Sequence, residues 1–158
     1  MTLFEVRLKF TAVFIAFCMS TLPALSEDIG EALLKTVPPA LGEWSLETGS
    51  KETDADGMKA FGMYALPAED RLFVVEIDAG GQIVTTMAGT WDFMMLTAEV
   101  VEIGSLPYQI GPDGFTTLID SKILIRAYAP NSDERDMIKL HLDGLDVGAL
   151  ADLAAQLK

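Results

Sequence analysis

Apolar side chains recur along this chain in two rhythms, and each rhythm predicts an element. Between residues 27 and 37, Ile29, Leu33 and Val37 return every four positions, Glu27, Asp28 and Glu31 favour the positive end of a helix, and Pro38-Pro39 stops it. Trp44 and Leu46 then open a period-two run that predicts a strand. The polar stretch from Glu47 to Lys59, with Gly49, Ser50, Asp54, Asp56 and Gly57, predicts an exposed loop. Two β-type runs follow, Phe61–Ala65 and Leu72–Ile77, separated by Pro67 to Asp70 and read as antiparallel neighbours.

Residues 82–96 fit helix or strand less cleanly. Ile83, Met87, Trp91 and Met94/Met95 form a helical stripe with Thr85, Thr86 and Asp92 turned away, whereas strict alternation fits poorly. Helix is the better reading, even though Gly81, Gly89 and the threonines lower its propensity.

From Glu99 the rhythm is β again: Val100–Ile103, Leu106–Ile110, Phe115–Ile119 and Ile123–Tyr128. Gly104-Ser105, Gly111-Pro112-Asp113-Gly114 and Asp120-Ser121 are short links of turn-forming residues, so these runs should pair as a meander, with Gly114 expected at positive φ. After Pro130, Asn131 or Ser132 is expected to cap a helix with Asp133 and Glu134 in its first turn and Met137, Ile138 and His141/Leu142 as its stripe. Gly144 ends that helix, and Asp146 caps a last one with Val147, Leu150, Leu153, Ala154 and Leu157 on its apolar face.

Strands in runs, with helices at both ends and one inserted, define an α+β class: a mainly antiparallel sheet of about six or seven strands with helices packed on one face. No internal repeat, low-complexity tract or linker is visible, so residues 27–158 read as one α+β domain.

The opening 26 residues follow a different logic. Arg7 and Lys9 precede the apolar run Phe10–Met19, and Ala24-Leu25-Ser26 forms a small-residue site before Glu27, the three parts of a secretory signal peptide cleaved after residue 26. A retained anchor would need about 20 apolar residues, and Pro23 interrupts this shorter run. Cys18, the one cysteine, follows Ile15-Ala16-Phe17, and the bulky Phe17 disfavours a lipoprotein cleavage box. The expected mature product is therefore thiol-free and periplasmic or secreted. It has 132 residues, of which 23 are acidic and 9 basic, a formal charge of −14.

That charge changes the list of partners. Phosphate recognition needs clustered Lys and Arg, which are scattered here, so nucleic acid and anionic lipid are poor partners, and no membrane span is expected after cleavage. Without cysteine in the mature chain, a Cys-bearing zinc site, an iron–sulfur cluster and a thiol nucleophile are excluded. Size alone permits a core without staples.

Few residues form a chemical constellation. Glu52-Thr53-Asp54-Ala55-Asp56-Gly57 resembles the opening of a calcium loop, but its twelfth position, where a bidentate Glu would close the site, is Met63. Six methionines remain after cleavage, and Met87, Met94 and Met95 beside Trp91, with His141 if the fold brings it near, form a candidate Cu(I) cluster of soft ligands. The competing reading of the same stripe is packing or an adaptable apolar groove. His141 has Asp143 nearby but no Gly-x-Ser-x-Gly elbow in the chain, and no spacing singles out a glycosidase pair among so many acids. No catalytic residue, metal or cofactor is assigned.

The sequence thus points to an exported, non-catalytic binding or accessory protein. Its partner is an envelope protein met through Met87, Trp91, Met94 and Met95 or through the sheet edge. A carrier of a small apolar ligand or lipid, lodged between that helix and the sheet, is the alternative, and Met-based Cu(I) binding the third.

Overall fold

The computed structural model describes residues 28–53, 57–130 and 133–157. The expected leader with Cys18, the acidic positions 54–56 and the capping pair Asn131 and Ser132 lie outside them. Helix α1 spans 28–36, followed by strands β1 (Ser45–Glu52), β2 (Met58–Leu66) and β3 (Arg71–Ala79), helix α2 (Gly81–Thr97), strands β4 (Val100–Ile103), β5 (Leu106–Ile110), β6 (Gly114–Ile119) and β7 (Ile123–Tyr128), and helices α3 (Arg135–Asp143) and α4 (Val147–Gln156). The class is α+β, as the two rhythms predict.

All seven strands belong to one antiparallel sheet in the order β1-β2-β3-β7-β6-β5-β4. Consecutive strands pair except at one place. After β3 the chain leaves the sheet as α2, enters again at the far edge as β4, and meanders back until β7 pairs with β3.

Strand parity sorts the side chains onto two faces. On the inner face stand Tyr64, Phe73, Val75, Ile77, Ile123, Ile125, Ala127, Phe115 and Tyr108, all buried. Leu33 of α1, Ile138 and Leu142 of α3, and Leu150 and Leu153 of α4 complete one continuous core with them. Tyr64 stacks on Phe73 at 4.5 Å between ring centres and donates its hydroxyl to the Pro38 carbonyl at 2.5 Å, which pins the segment after α1 to the sheet. No α2 side chain joins this core; Val84 and Leu124 are buried outside it, and α2 contacts β3, β6 and β7 from the outer face.

Three local expectations are corrected. The polar stretch after Glu47 is not one loop: β1 continues to Glu52 and pairs along its length with β2. An edge strand wetted on both faces has no reason to alternate, so its residues read as a loop. Gly114 is not among the residues at positive φ, a group that includes Gly42, Gly80, Gly81 and Gly104. The need for glycine there is proximity, since a Cβ would stand 1.9 Å from the Ala127 carbonyl oxygen. Finally, α3 starts at Arg135 with Glu134 as its N-cap and no side-chain cap, because the Glu134 carboxylate is engaged by Arg71 at 2.6 and 2.7 Å. Asp146 does cap α4, accepting from the Ala149 amide at 2.9 Å.

Candidate interaction surface

Helix α2 is the element whose environment least matches its composition. It can leave β3 abruptly because Gly80 and Gly81 both take positive φ, 65° and 75°, which residues with a Cβ rarely adopt. The Gly80 amide is held by the Lys122 carbonyl at 3.0 Å, and no side chain caps the helix. Three of its four threonines turn their hydroxyls back into the helix: Thr85 donates to the Gly81 carbonyl at 3.0 Å, Thr90 to that of Met87 at 3.3 Å and Thr97 to that of Phe93 at 3.1 Å. Polarity so consumed inside the helix leaves methyl groups at the surface.

The sheet-side stripe of α2 carries Val84, Met87, Trp91, Met94 and Met95. Val84 is buried, and the other four, the residues singled out from sequence, are half-buried. The opposite stripe carries Gln82, Thr85, Thr86, Gly89, Phe93 and Leu96, all exposed. Phe93 is 69% and Leu96 85% accessible, and Val100, just beyond the helix on β4, 41%. Exposed apolar side chains grouped on one helix face are normally covered; here Phe93 and Leu96 stand among polar neighbours with nothing over them among the described residues. Phe93 and Leu96 are what the stripe-based reading passed over, and their signal was apolar residues three apart on the face assigned to threonines.

Asp92 is the sole ionisable residue of α2, and Glu99 and Glu102 follow it. All three are exposed. Between Arg71 and Lys122 the chain carries seven acids, Glu76, Asp78, Asp92, Glu99, Glu102, Asp113 and Asp120, and no Lys or Arg.

The outer face of the sheet adds a compact ionic cluster. Arg126 meets Glu76 at 2.8 Å and Asp78 at 2.9 Å, while Lys59 meets Glu76 at 3.1 Å and Asp78 at 3.5 Å. Asp78 is 1% accessible while Lys59, Glu76 and Arg126 keep 14%, 16% and 29% of their side-chain surface, so two cations and two acids neutralise one another around one buried carboxylate.

His141 is not beside the methionines. It sits in the core on the other face of the sheet, edge-on to Tyr64 at 4.6 Å and Phe73 at 4.9 Å. Nδ1 lies 2.8 Å from the Met137 carbonyl, and Nε2 has no hydrogen-bond partner among the described residues. Asp143 is therefore not the group that orients the ring. Burial pushes the imidazole below its ordinary pKa, against the opposing pull of the Met137 carbonyl. The folded state therefore resists the proton that the unfolded chain accepts near pH 6.5. Stability should be fully present above about pH 6.5 and fall as pH drops below it, by at most about 1.4 kcal/mol per unit from this group. Denaturant melts between neutral and mildly acidic pH check this, with His141→Phe expected to remove that part of the slope.

Two clefts open elsewhere. One of about 390 Å³ lies between α1 and α4, lined by Glu31, Lys35, Thr36, Asp146 and Leu153 among others. The other, about 250 Å³, lies between the β5–β6 turn and the start of α3. Neither borders α2. Among the described residues no three His, Cys, Asp or Glu side chains gather as a metal site, and no helix is long and apolar enough to cross a membrane. Comparison of the chain with family models, curated proteins and solved structures finds no match.

Proposed function

We propose that this chain is an exported, non-catalytic module of the cell envelope that docks a partner protein on the outer face of α2. The observation that carries this reading is the exposure of Phe93 and Leu96 on a helix whose other side is already occupied. Fully burying a large apolar side chain is worth about 1.5–3 kcal/mol, so these two anchors alone would supply a substantial part of a binding energy. The export half of the reading is supported by the leader-like first 26 residues, with processing expected after Ser26.

A photo-crosslinking residue at Leu96 should give a discrete adduct in envelope fractions. The same residue at Leu140, 57% accessible on α3, should not. Edman sequencing of the native product should begin at Glu27. Phe93→Ser should abolish the adduct formed from position 96 while leaving folding stability within about 0.5 kcal/mol, because the Phe93 side chain does not support the core. Equal adducts at both positions, or none at Leu96, would reject the assignment.

A further inference from the structure

We infer that the segment received by α2 is cationic and amphipathic, with apolar residues covering Phe93, Leu96 and Val100 and flanking Lys or Arg side chains meeting Asp92, Glu99 and Glu102. This rests on the docking role proposed above and adds the chemistry of the occupant. The three apolar residues and the three acids fall within one run of eleven residues, 92–102, and all six side chains are exposed. Val101 pairs with the inward-facing Tyr108, so Val100 and Glu102 stand on the outer face of the sheet, the face on which α2 contacts β3, β6 and β7.

Charge selects among occupants. Glu76 and Asp78 are neutralised by Lys59 and Arg126, but Asp92, Glu99 and Glu102 make no ion pair among the described residues. A second copy of the chain seated on the same surface would set these acids against their own counterparts, and like charges brought together oppose binding. An anionic lipid surface meets the same repulsion. A partner with cations around an apolar stripe satisfies both halves of the surface. Gly89 fits this use: among the described residues nothing beyond its own stretch of helix lies within 4 Å of where its Cβ would stand, so no contact among them calls for a glycine in mid-helix. Its bare backbone lets a partner approach closely.

The test uses two synthetic helical peptides with identical leucine positions, one with lysine and the other with glutamate at every polar position, titrated calorimetrically into the mature chain at low and high salt. The lysine peptide should bind roughly tenfold or more tightly than the glutamate peptide, and added salt should weaken it. D92N/E99Q/E102Q should lower that affinity roughly tenfold, and F93S/L96S, which keeps every charge, by at least as much. Equal binding of the two peptides, or no effect of D92N/E99Q/E102Q, overturns the cationic assignment while the Leu96 adduct can still stand. Undiminished binding to F93S/L96S is attraction to net charge alone and overturns it too, as does binding by neither peptide. A sedimenting mass of two copies that F93S/L96S reduces to one puts a second copy on the surface and overturns it equally.

Discussion

Gly114→Ala should lower the unfolding free energy by about 3 kcal/mol, the upper range for forcing atoms into a filled space. The added methyl would lie 1.9 Å from the Ala127 carbonyl oxygen, 2.8 Å from its carbon and 2.7 Å from the Tyr128 Cα. All three are backbone atoms of the neighbouring strand, so no rotamer change relieves the overlap. Relief requires β6 and β7 to separate where Gly114 faces Tyr128, next to the bond from the Ala129 amide to the Asp113 carbonyl. Urea unfolding should show a lower midpoint at unchanged slope. Gly89→Ala is the contrasting control: with open space around the new methyl, it should raise stability by up to about 1 kcal/mol. A wild-type midpoint in Gly114→Ala would mean that the two strands do not approach each other this closely.

The contrast between these glycines shows how far the sequence can be read. The β5–β6 turn was legible because Gly111 to Asp113 are turn formers between two alternating runs, and the Gly111 amide does bond to the Gly114 carbonyl at 2.8 Å. The reason for Gly114 was not legible, because it is a distance to β7, and that distance exists only once the sheet is assembled. The Asp120-Ser121 link likewise announced a tight turn, and both residues take positive φ, 49° and 57°. Strand β1 escaped notice since its register with β2, not its own pattern, makes it a strand.

For the surface of α2 the limit was different. The period of Met87, Trp91, Met94 and Met95 was enough to mark one side of a helix. Whether anything covers the other side is a tertiary fact, decided by α1, α3 and α4 filling the inner face and leaving α2 alone on the outer one. The pairing of Arg71 with Glu134, 63 residues apart, was out of reach for the same reason.

Arg126→Met should cost about 3 kcal/mol, as expected when one partner is removed from a desolvated ionic group. The substitution leaves Glu76 and Asp78 to share Lys59, with Asp78 1% accessible and its Oδ1 dependent on Lys59 at 3.5 Å. The loss is an imbalance of charge, so removing an acid as well should recover part of it. Glu76→Gln combined with Arg126→Met restores one cation to one acid, and roughly half the cost should return. Glu76→Gln alone should be destabilising, which separates compensation from simple tolerance. Parity in the strands shows why this cluster bears on the surface beside it: Arg126 and the buried Leu124 leave β7 on the same face, and α2 contacts that strand. A cost near 3 kcal/mol would mean that this part of the outer face excludes water, leaving the exposed stripe of α2 as the wetted boundary where a partner arrives. A cost below about 1 kcal/mol is the behaviour of exposed ion pairs, and it would extend the open surface under the helix to the cluster itself.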